Sequence, residues 1–387
     1  MIVFLASSDL VGLVQIARHG ARSPLKKYSW DKSPWEVNLG ELTREGSFQH
    51  YIIGKEFRER YIIKHHLINS TLFLPEVYIR STDYHRTIMS AQAQMMGFFP
   101  EGPELLSQSM NSKALPPFDI SILNDTISEL KLKALPYKFQ PIPIDVYDKS
   151  NDNLLLGYST SCQIMEEFVK DSQENEEYKE WVLNFKNDIK GNLEKALGME
   201  NIDFDEASFI GDTLECMKFH DFDIPAGIDN GLYEKMIELK DFSNRYLFNI
   251  EPALKLATSA FYMQLLETFD DIIYARSATK YKVYITHDRT LIGLLLALDL
   301  WNIKNPPFAT TLLFELHKEN SEYKVKTIYN DEVIILDKIS KSELCSYKDF
   351  KNYLDSWIDK NFEESCSIKD PQQYFNKDKG ILFDRQS

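Results

Sequence analysis

Apolar positions along the chain fall into short unbroken runs and longer periodic stretches. The short runs, residues 10–17, 76–80 and 281–286, are rich in Val, Leu, Ile and Tyr and stop abruptly at polar residues, as buried parallel strands do. Between the first two, Leu42-Thr43-Arg44-Glu45-Gly46 opens a stretch that predicts a helix to about Ile63, with Phe48, Ile52 or Ile53, Phe57 and Tyr61 on its core face. Ser81, Thr82 and Asp83 are N-cap candidates for a helix over residues 84–96. Residues 97–138 are rich in Pro, Ser and Asn with short helical pieces, and residues 139–147 read as a strand interrupted by prolines. From Gln163 to about Tyr274 the period becomes helical: Trp181, Phe185, Ile189, Leu193 and Leu197 recur at i, i+4, Glu174-Asn175-Glu176-Glu177 forms a solvated acidic face, and Leu232, Met236 and Leu239 mark a later helix. Pro252 suits the start of the next helix. The third run leads into a helix over 291–298, and strands at 311–316 and 323–329 precede a polar helical tail.

This order predicts an α/β fold, a mostly parallel central sheet flanked by helices, with an inserted all-α cap. The expected core comprises residues 9–149 and 250–387, and the cap residues 150–249. A chain of 387 residues is long for one core, which agrees with such an insertion.

In open α/β sheets ligands bind outside the carboxyl ends of the strands. The first strand ends in Arg18-His19-Gly20-Ala21-Arg22-Ser23-Pro24. A histidine between two permanently charged guanidinium groups is a poor metal ligand but a well-placed nucleophile for a phosphate that both arginines clamp. Gly20 permits a sharp turn and Pro24 ends it. Taken alone, a basic turn after a strand also describes a solvated loop. The second strand ends at Arg80, beside N-cap residues whose free N–H groups favour an anion, although an arginine closing an ordinary strand end looks the same. The third ends at His287-Asp288 and supplies a carboxylic acid. Another His-Asp pair, His220-Asp221, follows no apolar strand and precedes Pro225, so it is read as structural.

Composition narrows the partners. A formal net charge of −15 argues against nucleic acid, while a local arginine cluster can still hold a small phosphorylated substrate within a Debye length of about 8–10 Å. No apolar run approaches the roughly 20 residues of a membrane span; residues 291–301 already include Asp299. His65 and His66 lack a third ligand at useful spacing and read as surface residues. Met1 to Ala6 is apolar without a basic region before it, which fits either the end of a signal peptide or a ragged start. No cysteine is followed at the sixth position by arginine, which excludes the cysteine-nucleophile phosphatase signature, and Asp221-Phe222-Asp223 lacks the strand an aspartyl nucleophile would need.

The heptapeptide at 18–24 resembles the R-H-G-x-R-x-P signature of the histidine acid phosphatases, the second branch of the histidine phosphatase superfamily. Arg80-Ser81-Thr82-Asp83-Tyr84-His85-Arg86-Thr87 resembles the R-S-T-D-x-x-R-T of that family, and His287-Asp288 its second signature. The resemblance implies a broad-specificity acid phosphatase acting on a small phosphate monoester, with no metal or cofactor. His19 would attack phosphorus and form a phosphohistidine; Arg18, Arg22, Arg80 and His287 would bind the phosphate; Arg86 would buttress the pocket; Asp288 would protonate the leaving group. It also implies a disulfide between Cys162 and Cys366, with Cys216 and Cys345 left without their usual partners, and a secreted or lysosomal location compatible with the sequons Asn69-Ser70-Thr71 and Asn124-Asp125-Thr126. Self-association as a homodimer is left open. Arg289 departs from the family, which has a small polar residue there, so the pocket rim is where substrate preference would differ. The alternatives are a specialised inositol-phosphate or lysophosphatidate phosphatase, a phosphomutase, and a non-catalytic phospholigand binder. A His-Ala-Glu second signature would have favoured inositol polyphosphates; the retained His19 and Asp288 argue against the binder.

Overall fold

The computed structural model describes residues 8–102, 112–130, 135–158, 162–300 and 304–368. Strands β1 (Asp9–Arg18), β2 (Val77–Thr82), β3 (Asp145–Tyr147) and β4 (Tyr281–Thr286) are mutually parallel in the order β3-β2-β4-β1. The sheet continues antiparallel through β5 (Thr311–Glu319), β6 (Glu322–Tyr329) and β7 (Glu332–Ile334), with β8 (Leu344–Ser346) also paired to β6. Alternation along β1 sends Val14 and Ile16 to one apolar layer and Leu13 and Ala17 to the other. Both faces are therefore covered, which is why this strand reads as a continuous apolar run. The register pairs Arg18 with Thr286 and Ser81 with Ile285, so the carboxyl ends of β1, β2 and β4 finish level at one edge.

On one face lie α1 (Arg44–Phe57) and α2 (His85–Phe98). Thr43 caps α1 by accepting from Gly46 N, and the helical path continues with wider turns through Arg58–Lys64. The buried face of α1 is Gly46, His50, Gly54 and the expected Phe57; of Ile52 and Ile53 it is Ile53 that packs on the core, while Ile52 and the expected Phe48 are exposed. The reason is close approach: a Cβ on Gly54 would meet Gln94 O at 1.9 Å, so α2 packs against a glycine groove and Phe48 and Ile52 turn outward. Ser81 and Thr82 lie inside β2, and Tyr84 takes the N-cap position of α2 instead. Of the strand expected at 139–147 only β3 pairs, because Pro141 and Pro143 have no N–H to give a ladder.

The long helical stretch resolves into α3 (Gln163–Gln173), α4 (Glu176–Asn184), α5 (Lys190–Leu197), α6 (Phe204–Phe219), α7 (Asn230–Arg245) and α8 (Glu251–Ile273). Phe185, Leu193, Leu197, Ile210, Met236 and Phe242 build a separate apolar core that also takes Tyr28 from the loop after the signature. Helix α3 instead buries Ile164, Met165 and Phe168 in the main core beside α8 and α9 (Asp288–Ala297). The disulfide Cys162–Cys366 links residues 204 positions apart, joining the approach to α3 to the end of the short helix Phe362–Cys366. On the chain-entropy account a loop of that length removes roughly 5 kcal/mol from the unfolded state. Cys216 and Cys345 are free and buried. Among the described residues no helix is long and apolar enough to cross a membrane.

Candidate active site

The level strand ends bring the residues of the first and third motifs together. His19 N–H donates to Thr286 O at 2.9 Å, which sets the rings of His19 and His287 edge to face with centroids 5.5 Å apart. Gly20 lets the turn press against the start of α1, since a Cβ there would fall 2.2 Å from Gly46 O. His19 Nδ1 lies 2.8 Å from Gly20 O. A carbonyl only accepts, so Nδ1 carries the proton and Nε2 keeps its lone pair. Burial, then the charges of Arg86, Arg18, His287 and Arg22, hold His19 well below the ordinary imidazole range. His19 is neutral at mildly acid pH.

Three arginines surround it. Arg18, 1% exposed, donates to Pro306 O at 2.6 Å and to Asp288 Oδ2 at 2.9 Å, and stacks 4.3 Å above Phe308. Arg22 forms a two-pronged pair with Asp212 of α6, at 2.6 and 3.1 Å. Arg86, in the first turn of α2, donates to Gly40 O and to His287 Nδ1, each more than 3.2 Å away. The buried Nε–H groups of Arg18, Arg22 and Arg86 find no acceptor among the described residues, and neither does that of Arg80.

His287 is fixed by a hydroxyl chain. Thr87 Oγ1 donates to a backbone carbonyl, Thr82 or Tyr84, and so accepts from Thr82 Oγ1 at 2.9 Å; Thr82 in turn accepts from His287 Nε2–H at 3.0 Å. Its Nδ1 then faces Arg86, and burial and Arg86 keep the ring well below its ordinary pKa. Burial pushes the carboxyl of Asp288 up, but Arg18, Arg22, His287 and Lys240 outweigh it and hold the group below the ordinary carboxylate range. Behind the strand end, buried His50 donates from Nε2 to Arg18 O at 3.0 Å and so supports the turn; burial lowers its pKa to about 4.

Arg80, expected in the phosphate pocket, points elsewhere. Its guanidinium bonds Asp152 at 2.5 Å and stacks 3.8 Å over Tyr147. Because β2 runs on to Thr82, Arg80 sits two residues short of the edge, and the turn of α2 brings Arg86 over the strand end in its place. The two arginines therefore exchange their expected places: Arg86 lines the cavity, and Arg80 lies outside it, paired with Asp152. Two further residues come from the cap. Asp212 clamps Arg22, and Lys240 of α7, 3% exposed, lines the cavity while paired to Glu215 at 2.7 Å and Asp241 at 3.3 Å. Their only sequence trace is a charge flanked by apolar helix positions, as in Ile210-Gly211-Asp212-Thr213-Leu214.

These groups line a cavity of about 470 Å³ between strand ends and cap, which includes His19, Arg22, Arg86, Lys240, His287 and Asp288. A larger one, about 650 Å³, lies within the cap among Asp188, Lys195, Asp229 and Lys235. It contains no histidine and none of the motif residues, so the smaller cavity is where chemistry can occur. His220 donates from Nδ1 to Cys216 O at 2.7 Å, in keeping with a structural His220-Asp221 pair. Among the described residues no group of three or more His, Cys, Asp or Glu side chains is arranged to hold a metal ion.

A family model described as "Histidine phosphatase superfamily (branch 2)" matches residues 9–330. Lysosomal acid phosphatase of Xenopus laevis is 29% identical over 373 residues, covering 93% of this chain and 79% of that protein. Prostatic acid phosphatase of Homo sapiens is 29% identical over 333 residues, covering 84% of this chain and 78% of that protein. Among solved structures, the phytase of Citrobacter braakii superposes with a TM-score of 0.63 at 16% identity, covering 93% of this chain and all of that one. The phytase of Hafnia alvei in complex with myo-inositol hexakis sulphate does so with a TM-score of 0.63 at 14% identity, covering 94% and 99%.

Proposed function

We propose that this chain, which belongs to the histidine phosphatase superfamily (branch 2), is an acid phosphatase that hydrolyses phosphate monoesters through a phosphohistidine on His19. The observation that carries the reading is one cavity lined by His19, Arg22, Arg86, His287 and Asp288, with Arg18 beside His19 in the chain and the buried Nε–H of each of these three arginines left without an acceptor. A buried donor without an acceptor costs about 1–3 kcal/mol, and a phosphoryl group is the anion whose oxygens three such donors can share. Catalysis is then positioning and electrostatics, with no step asked of a metal.

Attack by His19 Nε2 forms the N–P bond as the ester O–P bond breaks, and Asp288 gives its proton to the departing oxygen. In the free enzyme Arg18 keeps Asp288 ionised. A bound dianion takes over the arginine donors and adds like charge, both of which raise the pKa of Asp288 toward the working range. Neutral His287 spends its N–H on Thr82, so it joins in binding phosphate by taking a second proton at Nδ1, which the dianion also promotes. Protonation of these groups in the complex, with His19 still neutral, gives an acidic optimum. Deprotonated Asp288 then activates water against the phosphohistidine.

The lysosomal and prostatic names of the relatives support an exported protein, with the disulfide as a compatible feature. Residues 1–6, read as either the end of a signal peptide or a ragged start, lie outside the described residues. The His-Asp pair favours broad monoester specificity over the phytase activity named for the structural neighbours. The test is a rapid base quench of enzyme turning over labelled monoester, since phosphohistidine survives base and is lost in acid. Acid-labile label on the wild type, absent from a folded His19→Ala with activity below a few per cent, is expected; label or turnover retained in that variant overturns the assignment.

A further inference from the structure

The mouth of the cavity carries a cation that the chemistry above does not use. Arg289 is the second residue of α9, directly after Asp288, and its exposed side chain lines the same cavity. Its Nε donates to Asn244 Oδ1 of α7 at 3.2 Å, a neutral partner, and among the described residues no carboxylate lies within 4.0 Å of the guanidinium. The cations around it are mostly committed: Arg18 to Asp288, Arg22 to Asp212, Lys240 to Glu215 and Asp241. Arg86 lines the cavity and donates to His287. Arg289 is thus steadied by one bond through Nε while its exposed side chain lines the cavity. The cap wall contributes Asp205, whose carboxyl is pushed up by burial and by Asp203 and is eased by Arg289.

Resting on the phosphatase reading, we propose that Arg289, held by Asn244, is a specificity residue that binds a second anionic group, carboxylate or phosphate, on the alcohol half of the substrate. Asp288 must meet the leaving oxygen, and Arg289 is its neighbour on the same helix turn. The second anion is therefore only a few bonds from the ester oxygen. Asp205 opposes such a group while ionised, so its charge limits the preference.

The experiment compares kcat/KM on two matched pairs: 3-phosphoglycerate with glycerol 3-phosphate for the carboxylate, and propane-1,3-diol bisphosphate with its monophosphate for the phosphate. In wild-type protein the doubly anionic member of one or both pairs should be favoured about 10- to 100-fold, the scale of a charge-assisted hydrogen-bond pair. The responding pair identifies the anion. Arg289→Gln, which can still donate to Asn244 but carries no charge, should bring that ratio close to one; Arg289→Lys should keep part of it, Asn244→Ala should reduce it, and Asp205→Asn should raise it. A ratio unchanged in Arg289→Gln, a wild type without preference, or equal losses on both members of each pair would overturn the proposal, the last by reducing Arg289 to a cap-holding residue. Turnover of glycerol 3-phosphate by the wild type reads the phosphatase assignment separately; its absence would overturn both.

Discussion

At the sheet edge, His19, His287 and Asp288 follow their strands by one or two residues, whereas Asp212 and Lys240 reach the same cavity from within helices of the cap. The difference lies in what sets their positions. A strand end is located by its neighbours' register, so a motif that follows an apolar run is already aimed. A helix residue is aimed only by how the cap docks, and the chain shows no local sign of that.

The sharpest test of the edge half is Asp288→Asn, because it separates the proton donor from the binding groups. Hydrolysis of an alkyl ester such as glycerol phosphate should slow by about 10²–10⁴, the range of general acid catalysis. A nitrophenyl ester, whose leaving oxygen needs little protonation, should lose far less in a single turnover. Equal losses would make Asp288 a binding residue.

Next in size is the exchange of roles between Arg86 and Arg80. Arg86→Ala should lower kcat by about 10²–10³, as loss of one transition-state donor does. Arg80→Ala should leave kcat within a few-fold and instead lower thermal stability, since Asp152 would stay buried without its partner. The reverse pattern in paired kinetics and melting curves would restore Arg80 to the pocket.

This pair also marks the limit of what the residues alone disclose. The three strands, their shared edge and the histidines were legible because buried parallel strands announce themselves and their ends are chemically abrupt. Which arginine of Arg80-Ser81-Thr82-Asp83-Tyr84-His85-Arg86-Thr87 enters the pocket was not. That depends on whether β2 stops at Arg80 or at Thr82, a shift of two residues that hydrophobic pattern does not decide. Phe48 of α1 lies outside its expected core face for a related reason: glycines carry no apolar signal, yet their small size set the helix contact.

On the cap side, Asp212→Ala would leave Arg22 charged and buried. A loss of about 3–5 kcal/mol is expected, together with weaker substrate binding as the guanidinium loses its orientation. Chemical denaturation and KM measured on the same protein would check this; a neutral outcome would mean that the cap docks without the pair.

Acidification distinguishes the two sides by order of failure. His50 has a folded pKa of about 4 against an ordinary value near 6.5, so the unfolded chain takes up the proton first and stability falls as pH drops through that interval. The loss amounts to about 3 kcal/mol, complete below pH 4. Asp212 is depressed below the ordinary carboxylate range by Arg22 despite its burial, so its contribution persists above that range and fades only at lower pH. His50→Gln should flatten the upper part of the stability profile alone, which denaturation at successive pH values would read.

The facing glycines at the turn have a consequence for anyone who mutates the protein blindly. At Gly20 and Gly46 any added side chain collides with main chain, and neither position can be relieved by shrinking the other. In a saturation scan scored by activity, both would look as intolerant as His19, and Gly46, which touches no substrate, would be miscounted as part of the reaction.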